Sequence, residues 1–410
     1  MRMEKKVPEI RFKEFSREWK NKKIGRILTE IKRPIELMDN ISYQLVTVKR
    51  RNEGIVPRAV LKGKNILVKN YFSVEAGDYL ISKRQVVHGA NGIVPDNLDG
   101  AVVSNEYLVV TDSDDITARY WTVISIRPEM HKLFFISSYG VDIEKLVFDV
   151  TDWKNRTIFI PQITEQKNIT DYFQKLDSLI AQHKKKHDKL SKFKKSMLEK
   201  MFPKQGKTMP EIRFKGFSGA WKEKTLGEIG DTYTGLSGKT KDDFGHGQGR
   251  FVTYLNVFSN AISNENLLEP IEFDKNQNEV KKGDVFFTTS SETPEEVGMS
   301  SVWMSEIKNV YLNSFCFGYR PKQKLDNYYL AYLLRSNSFR DKIVFLAQGI
   351  SRYNISKTKV MDIKISIPEY SEQEKIGNYF QKLEMLINHH QQQITKLNNI
   401  KQACLSKMFV

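Results

Sequence analysis

The sequence predicts an α/β (α+β) chain: two mixed modules in a pseudo-two-fold arrangement, separated by two long antiparallel coiled-coil helices. Three observations predict it. A short block recurs at an offset of 202 residues, a longer block recurs at an offset of 207, and the longer block carries apolar residues at helical spacing. At 410 residues the chain is in any case too long for one ordinary core.

The short block runs from Pro8 to Ile27 (PEIRFKEFSREWKNKKIGRI) and again from Pro210 to Ile229 (PEIRFKGFSGAWKEKTLGEI), with 13 of 20 positions identical. The longer block runs from Ile158 to Phe202 and from Ile365 to Phe409, with 21 of 45 positions identical. Between the blocks the halves diverge, leaving anchors such as Gly77-Asp78 and Gly283-Asp284, each before an apolar run (YLIS, VFFT). A constant frame therefore encloses two different modules. That arrangement suits a reader of two different half-targets better than a purely structural protein.

The expected boundaries follow: a frame segment at 1–19, a first module at 20–160, a helix at 161–202, a linker and repeated frame segment at 203–221, a second module at 222–367 and a second helix at 368–410. The modules read as mixed α/β because short β-rich runs (YQLVTV, DYLIS, EYLVV; RFVTYLNV, DVFFT, FCFGYR) alternate with Gly/Asn/Asp turns. A helical stretch is expected late in each, at Tyr120–Ser137 and Asn327–Leu346. Trp19, Trp121, Trp153, Trp221 and Trp303 are expected in the core.

Each long helix begins after an Ile-Pro pair (Ile160-Pro161, Ile367-Pro368), where Thr164 or Ser371 followed by Glu and Gln suits a helix start. Apolar positions then recur at Ile169, Phe173, Leu176, Ile180, His183, His187, Leu190, Phe193, Met197 and Met201, and in the second copy at Ile376, Phe380, Leu383, Ile387, His390, Ile394, Leu397, Ile400, Cys404 and Met408. Such a stripe needs a partner helix, and the two copies are the natural partners. Helix pairing is thus expected through Leu176, Ile180, His183, Leu190 and Met197 against Leu383, Ile387, His390, Leu397 and Cys404, with the two histidines as register-setters. A rod of this length spans roughly 55 Å. Antiparallel pairing would return the C-terminus beside residue 1, making 202–209 (FPKQGKTM) the internal equivalent of the gap between Phe409 and Val7.

The balance of 65 Lys+Arg against 49 Asp+Glu, a net charge of +16, favours a polyanionic partner. Lys184, Lys185, Lys186, Lys189, Lys192, Lys194, Lys195 and Lys200 are expected on the polar face of the first long helix. The two cysteines, Cys316 and Cys404, lie far apart and outside any metal-binding spacing, which suits a reducing compartment. The start lacks the apolar stretch of a signal peptide, and no run approaches a membrane span, so a soluble intracellular chain is expected.

Motifs for chemistry are missing from the sequence. An [ND]PP[YF] loop for methyl transfer needs adjacent prolines, and there are none. Gly235-Leu-Ser-Gly-Lys239-Thr240 falls short of a phosphate loop because Tyr233 stands where its first glycine is required. No HExxH, GxSxG or zinc-deaminase pattern occurs. No metal site and no cofactor are expected in the chain. The competing readings are a methyltransferase or nuclease with an unrecognised centre and a coiled-coil scaffold that binds protein only.

The framing blocks, PEIRF…W…LGEI before each module and IPxxxEQ…I…YFQKL…I…K…MF after it, resemble the specificity (S, HsdS) subunits of type I restriction-modification systems over essentially the whole chain. In the first module GDYLISKR (77–84), GANGIVP (89–95) and LDGAVVSNEY (98–107) also resemble a target-recognition domain of that family. The second departs from this version: GDVFFTTSSET (283–293) has no following GANGIVP, which implies a different recognition class. The resemblance implies two target-recognition domains, each reading one half of a bipartite sequence in double-stranded DNA across a spacer set by the helices. It implies a non-catalytic, cytoplasmic chain that works with two modification subunits, which bind S-adenosylmethionine and methylate adenine at N6. Two restriction subunits, using ATP and Mg²⁺, can join them.

Direct readout needs Arg, Lys, Asn or Gln at base edges. In the first module the densest candidates are Lys49, Arg50, Arg51 and Asn52, then Lys83, Arg84 and Gln85, with His88 and Asn91. In the second they are Lys239, Lys241, Arg250, Thr289, Ser290, Ser291, Arg352 and Tyr353.

Overall fold

A computed structural model of the protein describes residues 7–67 and 70–410. The chain divides into two compact units, one of 1–182 with 393–410 and one of 183–392. The helices used below are α1 (Ala118–Ile124), α2 (Pro128–Ile136), α3 (Ile163–Lys200), α4 (Asn327–Leu333), α5 (Asn337–Leu346) and α6 (Tyr370–Lys407).

In each unit the repeated blocks meet. Lys20–Lys23, from the short block, pairs antiparallel with Thr157–Ile160 at the start of the longer one; Lys222–Thr225 pairs in the same way with Lys364–Ile367. The glutamate of each EQ dipeptide explains the repeated arginine. Arg11 donates from Nε and Nη2 to Glu165, both at 2.7 Å, and Arg213 does the same to Glu372. Both carboxylates are buried, so the pairing compensates a desolvation penalty that neither charge could bear alone. The glutamine beside it bridges the helix start to the module: Gln166 Nε2 donates to Pro161 O while its Oε1 accepts from Thr117 N, and Gln373 repeats this with Pro368 O and Asp326 N.

The terminal Met-Phe of each long helix completes a core. Phe409 packs against Trp19, Tyr120 and Phe173 in the first unit. Phe202 packs against Trp221, Tyr329 and Phe380 in the second. Each unit's core therefore needs the C-terminal end of the helix that starts in the other unit. All five tryptophans are buried, as expected.

Within the modules, one layer is shared and one is not. Tyr79–Ser82 lies inside a four-stranded sheet ordered 29–30, 107–111, 79–82, 91–93; Val285–Thr288 lies inside one ordered 230–234, 316–321, 285–288, 300–302. Both central strands are fully buried, which is why they read as unbroken apolar runs. The preceding Gly77 and Gly283 take φ of +92° and +89°, and the aspartate that follows each is clamped by an arginine, Arg33 on Asp78 and Arg320 on Asp284. The second layer differs: five strands in the first unit, three in the second.

The helical stretches are each a pair of helices rather than one. Arg127 (ψ 145°) precedes Pro128 in extended conformation, as a pre-proline residue should, and caps the start of α2, past the end of α1 at Ile124; Ser336 (ψ 153°), its hydroxyl donating to Leu333 O, separates α4 from α5.

The long helices run antiparallel inside each unit. In the first, Tyr172 meets Cys404 and Asp177 accepts from Lys401 at 2.5 Å; in the second, His183 meets His390 and Lys194 pairs with Glu384. In both cases partner numbers fall as the other rises. Leu176, Ile180, Leu383, Ile387 and Cys404 are buried, and Leu190, Met197 and Leu397 are half-buried. Two positions correct the expected stripes. Phe193 is 46% exposed and lies outside the seam. Lys194 leaves the polar face to reach Glu384 and the Tyr332 ring.

His183 and His390 approach Nδ1 to Nδ1 at 2.9 Å, so one ring must donate and the other accept. Burial and then the neighbouring His183, His389, Lys186 and His187 hold His390 below the usual imidazole range. A lowered value means that the unfolded chain binds the extra proton more tightly. The contribution to stability is complete above about pH 6.5 and is lost as the pH falls through the lower folded-state value. Thermal midpoints should therefore drop between pH 7.5 and pH 5, and His390→Gln should flatten that dependence.

Ile10 N donates to Lys407 O at 2.9 Å, and Ile212 N donates to Lys200 O at 2.9 Å, so each frame segment lies along the end of a long helix. Residue 1 lies outside the described residues. A circular permutant joined through the present termini and opened between Lys204 and Lys207 should fold with a thermal midpoint within a few degrees of the parent's; an unfolded permutant would contradict this closure.

Candidate nucleic-acid interface

The first module joins two loops that are remote in sequence. Ser42–Val48 and Ile55–Lys62 form a hairpin whose turn holds Arg51 and Asn52 at φ of 60° and 56°. Arg51 N donates to His88 O at 2.7 Å and Asn52 N to Gly89 O at 2.8 Å. Gly89 is required there, since its φ is +74° and a Cβ would meet the Asn52 side chain at 3.0 Å. Lys49, Arg50, Arg51, Asn52, Gln85 and His88 thus share one surface region. Among the described residues Asn52 Oδ1 and Gln85 Oε1 are buried without a hydrogen-bond partner, which marks the junction as polar and under-satisfied.

The candidates differ in how free they are. Arg50 donates to Glu144 at 2.7 Å, Arg84 to Glu106 at 2.8 Å, and Lys83 to the Asn105 carbonyl at 2.6 Å; Arg51 is exposed. Asn91 is buried, where its Oδ1 accepts from Tyr79 OH, and it faces the core. Neither His131, which lies 3.5 Å from Asn52, nor Glu144 was identifiable from sequence. Both lie in stretches without basic clusters.

In the second module Ser290 and Ser291 pair with Asn354 and Tyr353, and Ile355 N donates to Thr289 O, so Arg352 and Tyr353 stand next to Thr289–Ser291. Ser290 and Ser291 are themselves buried; Arg352 is exposed. Lys241 lies just before, and Arg250 within, the central strand Phe244–Val252 of the three-stranded sheet, and both are exposed. Lys239 is held by Asp274 at 3.0 Å and Asp243 at 3.6 Å and is only 13% exposed, so it ties the loop before this strand to the loop holding Asp274. The Asn276 backbone N–H, then Lys239, pull the Asp274 carboxyl down to about 2. Arg335 is likewise occupied: it donates to four backbone carbonyls, and burial lowers it to about 10.

No helix among the described residues is long and apolar enough to cross a membrane.

Two α/β units thus carry the same repeated frame and different loop clusters, one holding residues 49–52 with Gln85 and His88, the other residues 289–291 with Arg352 and Tyr353. Residues 219–399 match the type I restriction modification DNA specificity domain. The chain is 26% identical over 200 residues to the putative type I restriction enzyme MjaX specificity subunit of Methanocaldococcus jannaschii, covering 46% of this chain and 45% of that one. It is 22% identical over 292 residues to the MjaVIII specificity subunit of the same organism, covering 64% and 62%. These matches span less than two thirds of either relative. The crystal structure of a type I restriction-modification S subunit from M. genitalium shares the fold over 98% of this chain and 99% of that one, with a TM-score of 0.55 at 13% identity. The domain match covers less than half of the chain, and over the matched stretches the chain is similar to type I restriction-modification specificity subunits.

Proposed function

We propose that this chain is the DNA-reading specificity subunit of a type I restriction-modification complex. Each module reads one half of a bipartite target, and the two long helices pair as one antiparallel coiled coil that relates the modules by a pseudo-two-fold axis and sets the spacer. The repeat supports this reading most directly. Both units carry the same Glu–Arg clamp, Gln bridge and Trp–Phe–Tyr packing, while their outer sheets have five and three strands. Identical partner subunits need the same docking frame twice; two different half-targets need different loops.

On this reading the chain is non-catalytic and cytoplasmic. Two modification subunits carry S-adenosylmethionine and direct adenine-N6 methylation, and two restriction subunits add ATP- and Mg²⁺-dependent cleavage. Base and phosphate contacts come from Lys49, Arg50, Arg51, Asn52, Lys83, Arg84, Gln85 and His88 in the first module and from Lys241, Arg250, Thr289, Arg352 and Tyr353 in the second.

The test is direct. Assembled with its modification partner, the chain should bind its target with an affinity that falls about 10³-fold or more between 50 and 200 mM salt, as for six or more phosphate contacts. Alone with S-adenosylmethionine and Mg²⁺ it should show no turnover. Turnover by the chain alone, or salt-independent binding, would overturn the proposal.

A further inference from the structure

The helix pairs conceal a second repeat. At an offset of 209, Thr117 and Asp326 cap α1 and α4 through the N–H three residues on, Tyr120 matches Tyr329, Met130 matches Phe339 and Phe134 matches Ile343, all of these apolar side chains being buried. Only the tyrosine and a later glycine are identical between 117–141 and 326–350. That glycine, Gly140 or Gly349, has φ of +156° or +142° and opens a short hairpin in each unit. At Gly349 a Cβ would lie 2.1 Å from Arg352 O, so only glycine makes the turn.

The next residue is β-branched and apolar in both: Val141 and Ile350, with relative exposures of 107% and 96%. A single exposed apolar side chain is ordinary. The same fully exposed side chain, at matched positions of two modules that have otherwise diverged, is not. The hairpin bearing Val141 presents Tyr139 and Ile143 as well, and Phe345 stands 89% exposed just before the hairpin bearing Ile350.

Both tips adjoin the loops already argued to face DNA. Glu144 of the first hairpin accepts from Arg50, and Asp142 turns back to its own backbone, so the acids there are occupied locally. The second tip reads Gly349-Ile350-Ser351-Arg352, with no acid, and its following strand pairs with Ser290–Ser291. An apolar point flanked by Arg50 and Lys145, or by Arg352, matches the chemistry of side chains that enter between base steps while cations hold the phosphates.

Resting on the DNA-reading function proposed above, we propose that Val141 and Ile350 are apolar wedges, one per half-target, that enter the duplex and unstack a base step. Their role is specificity by deformation rather than by hydrogen bonding.

The test uses the full chain assembled with its modification partner and duplexes carrying the methylated target, with 2-aminopurine placed in turn at each position of a half-site. Wild type should raise the fluorescence at one step per half. Ile350→Ala should remove the rise in one half only and Val141→Ala in the other, each weakening binding by about tenfold or more without changing the slope of log affinity on log salt. Ile350→Met should retain the signal. Both side chains are exposed, so thermal midpoints should stay unchanged. Normal binding by wild type with no fluorescence rise, or with both alanine variants indistinguishable from it, would overturn the wedge alone. Loss of the modification partner with the chain's own DNA binding intact would overturn it too, by making these tips protein contacts. A wild type that prefers no sequence would instead overturn the underlying function.

Discussion

Glu372→Ala should destabilise the second unit by about 3–5 kcal/mol, the range for removing one partner of a buried ion pair. Glu372 is buried with its carboxylate shared between Arg213 Nε and Nη2, each at 2.7 Å. Removing it leaves the Arg213 guanidinium mostly enclosed, with the carbonyls of Ser218 and Gly219 as its remaining acceptors among the described residues. It also frees the frame segment that threads Trp221 into the core. At roughly 2–4 °C per kcal/mol for a unit of this size, the thermal midpoint of that transition should fall by about 6–20 °C. Glu165→Ala should act equally on the first unit through Arg11. A shift of the second transition by a degree or less would show that the clamp is not what ties frame to helix.

Arg50 and Arg51 changed together to alanine should weaken target binding by about 10- to 1,000-fold, since a bidentate base contact discriminates by about 1–3 kcal/mol and a second cation adds its phosphate share. The turn holding them is fastened by backbone bonds from Arg51 and Asn52 to His88 and Gly89, so it should survive loss of the side chains. Substituted half-targets separate the roles. Relaxed preference in one half marks base contacts, and an equal loss on every sequence marks phosphate contacts.

The frame was legible because its constraints repeat. A buried glutamate, an arginine to pair with it, a Trp and a terminal Met-Phe recur in sequence since the same packing is built twice. The seam was legible at Leu176, Ile180, Leu383 and Ile387, where burial selects apolar residues, and misread at Phe193, where spacing fits but the ring stays 46% exposed. Lys194 was placed on the polar face because charge in a sequence carries no partner; Glu384, 190 residues away, supplies one. The joining of the 49–52 and 85–89 loops rests on backbone hydrogen bonds, to which side-chain composition is blind. The match of 117–141 with 326–350 was invisible for another reason: caps and core positions can be filled by Thr or Asp, Met or Phe, and Phe or Ile without altering the fold.

The central claim, that one chain reads two unlike half-targets, is tested most directly by mapping N6-methylated adenines in the genome of a host carrying the modification partner with wild-type chain or with Arg50 and Arg51 changed to alanine. The account predicts one bipartite, asymmetric motif for wild type and, for the variant, loss or relaxation confined to one half of that motif. A motif that is continuous, one that persists without this chain, or one whose halves change together would contradict it.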